Sequence, residues 1–238
     1  MKKVLIIQHL TYEGPGTIEI YLRKSNIYFE PRNLNRGATL EGCSDFSHIV
    51  VMGGFMAVYE MEKYTFLKEE MKFLEKAIKK GKQILGVCLG AQMLAHVLGG
   101  KVYKGPKEEI GWYEIEPTED GIKDKSFSRL IWDDKKVKVF QWHGDTFDLP
   151  EGATLLASSQ LYPNQAFLWK NNVYGLQFHI EVDDKMIREW FPDGSYLPPP
   201  FSWNTFFEKS FSFYESFFGK TKTRLLGGLT CIHQSQAD

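Results

Sequence analysis

Two hydrophobic patterns alternate through the first hundred residues. Nearly unbroken apolar runs at residues 4–7, 48–52 and 83–87 have the length and saturation of strands buried on both faces of a parallel sheet. Residues 27–29 add a short second strand. Helical spacing fills the gaps between these runs. Ile18, Tyr21 and Leu22 predict a helix over residues 17–24. Leu67, Met71, Leu74 and Ile78 place an apolar stripe on a helix over 64–80, with Glu69, Glu70 and Lys76 on its polar face. Lys79-Lys80-Gly81 closes that helix with positive charge and a terminal glycine. A further helical pattern spans 89–98. This alternation predicts an α/β fold, a doubly wound and mostly parallel central sheet with flanking helices. Ligands of such sheets bind at the carboxyl ends of the strands, where the Gly53-Gly54 turn and Cys88 both fall.

The second half of the chain has shorter segments, at 112–116, 137–140, 153–157, 166–169 and 173–178, and reads as the strand-rich remainder of the same domain. The segment 173–182 reads as one continuous strand. After Trp190 the character changes. Phe191-Pro192-Asp193-Gly194 and Pro198-Pro199-Pro200 form loops. Trp203, Phe206, Phe207, Tyr214, Phe217 and Phe218 then follow with near-helical spacing. The expected organisation is a domain over residues 1–190 and a Pro- and Phe-rich extension over 191–238, with a helix at about 203–218 and a polar tail. That helix either docks on its own core or offers an aromatic face to a second copy, forming a homo-oligomer.

Composition narrows the function classes. The 238 residues suffice for one large domain, and hydrophobic content of 43% with charged content of 25% is ordinary for a globular chain. A net charge of −1 gives no electrostatic reason to expect binding to nucleic acid or to an anionic membrane. No apolar stretch approaches the roughly 20 residues of a membrane span. The three cysteines, Cys43, Cys88 and Cys231, are too few and odd in number for a disulfide framework, and point to the reducing cytoplasm. No His, Cys and Asp cluster has metal-ligand spacing, so neither metal nor cofactor is expected. Gly14-Pro15-Gly16 lacks the rest of a phosphate-binding fingerprint and reads as a loop. His9 reads as packing near the rim, and His48, His96 and His233 as structural or solvated.

Chemistry concentrates in two stretches. Gly86-Val87-Cys88-Leu89-Gly90 sits between a strand and a helix, the context of a nucleophile elbow with Cys in the place of Ser. A helix N-terminus behind the sulfur favours thiolate over thiol. Gly175-Leu176-Gln177-Phe178-His179-Ile180-Glu181 ends in His-x-Glu, and residues two apart in a strand share a face. A cysteine nucleophile needs a base, and the base an orienting group; Cys88, His179 and Glu181 supply all three. The two motifs together resemble the class I (triad) glutamine amidotransferases over roughly residues 1–190, above all stand-alone members similar to the amidotransferase domain of GMP synthetase.

The resemblance implies a flavodoxin-like sheet and further site residues. It puts oxyanion-hole N–H donors at Gly54 and Leu89, and a substrate-holding side chain at Gln92. Gln141-Trp142-His143-Gly144-Asp145 is similar to the family's glutamine-gripping Ser-His-Gly-Asp segment, which makes Trp142, His143 and Gly144 substrate-binding candidates. Glu109-Ile110-Gly111-Trp112 is a candidate pocket wall. His143 competes for the role of base but lacks a strand-paired carboxylate. The chain departs from the family pattern at Phe55, Trp142 and Ile180. Phe55 stands where Pro is common and leaves the Gly53-Gly54 turn free to flip its peptide, so the hole is expected to form only on docking to a partner. The implied activity is hydrolysis of the glutamine side-chain amide through a γ-glutamyl thioester, with ammonia passed to a separate synthetase subunit. Two other readings stay open: a free-standing γ-glutamyl hydrolase or peptidase, and a non-catalytic subunit that binds a partner.

Overall fold

Four apolar residues of the first strand decide the layering. In the computed structural model, which describes residues 2–219, Val4 and Ile6 face one side of the sheet while Leu5 and Ile7 face the other, and all four are fully buried. The elements in chain order are β1 (Lys3–Gln8), α1 (Gly16–Lys24), β2 (Tyr28–Asn33), β3 (His48–Val51), α2 (Phe66–Lys79), β4 (Gln83–Val87), α3 (Leu89–Val97), β5 (Val102–Pro117), α4 (Glu119–Lys123), β6 (Val137–Phe147), β7 (Ala153–Ser158), β8 (Ala166–Trp169), β9 (Val173–Leu176), α5 (Asp184–Trp190) and α6 (Trp203–Phe218). The strands form one nine-stranded sheet in the order β2-β1-β3-β4-β9-β8-β7-β5-β6. From β2 to β9 the pairings are parallel. From β9 to β6 they are antiparallel. The α/β architecture is as expected, and the strand-rich second half joins the same sheet in antiparallel sense.

Helices α1 and α6 pack with Val4, Ile6, Val50 and Leu85 on one face. Helices α2 and α3 pack with Leu5, Ile7, Ile49 and Ile84 on the other. The aromatic residues of α6 are spent within the chain: Phe206, Phe207, Phe213, Tyr214, Phe217 and Phe218 are all buried. Each such side chain contributes about 1.5–3 kcal/mol by leaving water. Most of this aromatic face therefore docks on the chain's own core, while Trp203 and Phe211 are half-buried. The polar tail, with Cys231 and His233, lies outside the described residues. Among the described residues no helix is long and apolar enough to cross a membrane.

Three local readings of the sequence are corrected. Strand β6 runs to Phe147 rather than stopping at Phe140, so Gln141 to Asp145 lies within a strand paired to β5. Strand β9 ends at Leu176; the chain bends there, and His179 forms an isolated antiparallel bridge to Phe140. Glu70, assigned to the polar face of α2, is fully buried.

Candidate active site

The elbow is built by close packing. Cys88 has φ 52° and ψ −110°, a backbone region that non-glycine residues seldom occupy; such strain costs on the order of 1–3 kcal/mol and persists only where the surroundings enforce it. The enforcement comes from the flanking glycines. A β-carbon on Gly86 would lie 2.5 Å from the Gly90 carbonyl oxygen, and one on Gly90 would strike the Val51 carbonyl. Helix α3 can approach strand β4 at Gly86 and strand β3 at Gly90 this closely only without side chains at those two positions. Cys88 N–H donates to Leu176 O at 2.8 Å, tying the elbow to β9. Its Sγ is buried, at 3.7 Å from the Trp142 carbonyl oxygen.

His179 and Glu181 meet Cys88 from the bend after β9. Their pairing does not depend on a strand face. His179 N–H and C=O bond to Phe140 at 2.8 and 3.2 Å, which fixes the bend. His179 Nδ1–H donates to Glu181 Oε1 at 2.6 Å, while Glu181 Oε2 accepts from Ile180 N–H at 3.0 Å. Both carboxylate oxygens are thus engaged and the ring is held in one orientation. Burial opposes a charge on His179, but Glu181 on one side and the Cys88 sulfur on the other outweigh it and raise its pKa well above the ordinary imidazole range. The backbone of this bend is itself clamped. Thr17 N–H of α1 donates to Glu181 O at 2.8 Å, and the Tyr214 hydroxyl of α6 donates to Ile180 O at 3.1 Å.

The Gly53-Gly54 turn follows β3 at the same rim. A β-carbon on Gly53 would lie 2.6 Å from Glu13 Oε2, 3.3 Å from His179 Cε1 and 3.5 Å from Cys88 Cβ. Those three side chains therefore surround one small space that only glycine leaves open. The turn is not free in the sense expected from Phe55. The Gly53 carbonyl accepts from His9 Nδ1 at 2.9 Å, which fixes the peptide plane. Phe55 itself is 60% exposed and does not hold the turn.

A cavity of about 480 Å³ opens in front of Cys88. Gln92, Trp142, His143, Gly144 and Gly54 all line it, with Tyr12, Glu13, Tyr59, Lys104 and Ile110. Gln92 is buried rather than solvated, and its amide donates to Asp145 O at 3.3 Å and to Gln177 Oε1 at 3.2 Å. His143 does have a strand-paired carboxylate. Glu109 lies opposite it in the β5–β6 register, and its Oε2 is 3.1 Å from His143 Nε2. The other ring nitrogen, Nδ1, donates to Asp145 O at 2.9 Å. Both nitrogens are thus committed away from Cys88, which removes His143 as a competing base. Trp112 does not line the cavity; its indole N–H donates to Tyr196 O at 2.7 Å under the aromatic strap that follows α5.

Three residues that the sequence did not mark as site residues lie near the site. Glu13 is buried beside Gly53, and burial raises its carboxyl above the usual range despite His179 and His9 nearby. Its position five residues past β1, just before the Gly14-Pro15-Gly16 loop, was the available clue. Glu70 is paired with His9. Trp190 packs in a T-shaped pair with His179 at 5.3 Å between centroids and donates its indole N–H to Tyr12 O at 2.8 Å. Among the described residues no group of His, Cys, Asp and Glu is placed to hold a metal ion.

Comparison with known proteins gives the family. The family model for glutamine amidotransferase class-I matches residues 17–189. A solved glutamine amidotransferase from Thermotoga maritima is 42% identical, covers 81% of this chain and 82% of its own, and superposes with a TM-score of 0.75. The glutamine amidotransferase-like protein YfeJ of Salmonella typhimurium is 28% identical over 183 residues, 75% of each chain. GMP synthase of Bacillus velezensis is 33% identical over 138 residues, 56% of this chain, and the match spans about a quarter (24%) of that larger protein. With the family model covering most of its length, the chain belongs to the class-I glutamine amidotransferases.

Proposed function

We propose that this chain hydrolyses the side-chain amide of glutamine, with Cys88 as nucleophile, His179 as general base and acid, and Glu181 as the group that orients His179. The observation that carries the reading is the strained Cys88 at the head of α3 facing the buried His179–Glu181 pair across the rim. The Cys88 thiol gives its proton to His179, and the sulfur attacks the amide carbon. Gly54 and Leu89 N–H groups receive the oxyanion; neither donates a hydrogen bond to any described residue. One such donor is worth roughly 3–4 kcal/mol, because it stabilises charge that appears only in the transition state. His179 returns the proton to the departing nitrogen, and ammonia leaves. A γ-glutamyl thioester remains on Cys88. Water, deprotonated by His179, attacks it and releases glutamate and the thiol. Gln92, Trp142, His143 and Gly144 form the wall that holds the amino-acid end of the substrate.

The ammonia passes to an acceptor on a separate synthetase subunit; what supports this is that GMP synthase of Bacillus velezensis is named as glutamine-hydrolysing and the match covers about a quarter (24%) of it. A second reading is favoured by the cavity. Its volume of about 480 Å³ lies in the range that takes ligands larger than one amino acid, and Tyr12, Tyr59 and Trp142 give it aromatic walls. On this reading the leaving group is an amine larger than ammonia, and the chain is a free-standing γ-glutamyl hydrolase.

The test is hydrolysis of glutamine and of γ-glutamyl amides by wild type and by Cys88→Ala, with mass mapping of a chloroketone analogue of glutamine. Cys88→Ala is expected to be inactive and folded, and the label to sit on Cys88 and not on Cys43. Activity surviving in Cys88→Ala would overturn the proposal. Faster turnover of γ-glutamyl amides than of glutamine would favour the second reading.

A further inference from the structure

His9 and Glu70 form a fully buried pair that the mechanism above does not use. Both side chains are 0% exposed, and His9 Nε2 lies 2.9 Å from Glu70 Oε2. The other ring nitrogen, Nδ1, is 2.9 Å from the Gly53 carbonyl oxygen. Both neighbours of the ring are acceptors once Glu70 is ionised, so the ring must offer an N–H to each. Burial works against that charge; Glu70 first, then the Gly53 carbonyl and Glu13, overcome it and raise the His9 pKa. An ion pair removed this far from water is expensive to keep, and replacing such pairs with apolar residues is often neutral or stabilising. Its location suggests what it is for. His9 follows β1, Gly53 follows β3 and Glu70 belongs to α2, so the pair ties three separate elements to one peptide plane.

That plane is the one whose N–H belongs to Gly54. In a planar trans peptide the N–H points opposite to the C=O. With the Gly53 oxygen turned to the buried His9 ring, the Gly54 N–H is turned away from that ring, and Gly54 lines the cavity that it shares with Cys88. Glycine at both positions would otherwise let this peptide rotate at little steric cost. We infer that His9, oriented by Glu70, is a positioning residue that locks the Gly53-Gly54 peptide with its N–H aimed at the oxyanion, so that the hole is preformed in the chain alone. The inference rests on the amide-hydrolysis reading given above, and it replaces the expectation that the turn awaits a partner.

The distinguishing experiment compares two reactions of the same sulfur. Amide hydrolysis passes through an oxyanion; alkylation of Cys88 by iodoacetamide does not. The double variant His9→Leu/Glu70→Leu removes both charges together, so that neither is left buried alone; only the Gly53 carbonyl loses its donor, and the variant is expected to fold. Its hydrolysis should fall about a hundredfold, mostly in kcat, with little change in KM and an unchanged rate of iodoacetamide alkylation. Its affinity for the γ-semialdehyde of glutamate, which adds to the sulfur and places an oxygen in the hole, should fall by a similar factor. In the Glu70→Leu background, His9→Asn, whose side-chain amide can reach the Gly53 carbonyl from the Nδ1 position, should recover part of the loss seen in the double variant. Near wild-type hydrolysis and aldehyde binding in the double variant would overturn the inference, as would a parallel loss of alkylation, which marks general damage. A wild-type chain that binds the aldehyde on Cys88 and hydrolyses no amide would instead defeat the functional reading, while the aldehyde affinities would still decide the role of His9.

Discussion

The parallel strands β1, β3, β4 and β9 stop at the rim and hand over to short, tightly held turns, whereas the antiparallel strands β5 and β6 run on past the same rim as a long ribbon. The first group places His9, Gly53, Cys88 and His179 within a few residues of their strand ends. Each is fixed by a named contact: His9 to Glu70, Gly53 to His9, Cys88 to Leu176, His179 to Phe140 and Glu181. The ribbon contributes Trp142, His143 and Gly144 to the cavity wall, and its register shifts between Lys104 and Glu109 where it turns over the site. Sub-ångström placement of reacting groups requires rigid support. A wall that selects the rest of the substrate can be varied without moving the reacting atoms. The proposed site is thus divided between a half that would perform the chemistry and a half that lines the cavity in front of it.

The comparison breaks most directly at His179. His179→Ala should lower kcat by about 10²–10⁴, the span expected for a general base, with KM changed far less. Glu181→Gln should retain more activity than His179→Ala, since Glu181 orients rather than transfers a proton. Steady-state kinetics on both variants checks this, and a silent His179→Ala would move the chemistry out of the parallel half.

A middle-sized effect belongs to the ribbon. Glu109→Gln loosens His143 without touching Cys88, so KM should rise by about tenfold, the value of one weakened buried hydrogen bond. kcat and the rate of Cys88 alkylation should hold. A fall in kcat with constant KM would show that the two halves are not separable.

The smallest effect lies far from the cavity and concerns stability alone. His48 of β3 packs against Phe217 and Phe218 of α6. Burial, aided by Lys2, lowers its pKa from 6.5 to about 4. The unfolded chain therefore takes up this proton first as pH falls. The resulting penalty on the fold begins near pH 6.5 and grows until about pH 4. Thermal melts over that window should show His48→Phe losing less stability than wild type, while glutamine hydrolysis at neutral pH stays unchanged.

The parallel half was legible because its strands are buried on both faces and carry nearly pure apolar runs, as residues 4–7 and 48–52 do. The ribbon was not. Its outer positions, Lys104, Lys107 and Glu108, are solvated, and its inner ones, Gln141 and His143, are polar because they bond to Gln165 and Glu109. Polar residues facing a site disguise a strand as a loop. The bend after Leu176 escaped for the opposite reason: Gln177 to Val182 is buried throughout, so burial continued where the strand did not. Glu70 escaped because a charged residue on an amphipathic helix is read as solvated unless its partner is known, and that partner lies 61 residues away. The candidate triad itself was legible because its motifs are local; the supports for it, from Tyr214, Thr17 and His9, are distant in sequence.

The hydroxyl of Tyr214 sets an order of events during synthesis. Cys88, His179 and Glu181 have all been made well before residue 214, yet the carbonyl between His179 and Glu181 has its α6 partner only when that tyrosine arrives. Domains emerge from the ribosome N-terminal end first, at about 5–20 residues per second. A nascent chain thus carries every atom of the proposed reaction for several seconds while the bend that aligns them is held by Thr17 and Phe140 but still lacks its tie to α6. The bend beside the sulfur acquires its finished surroundings only with the arrival of the last described helix.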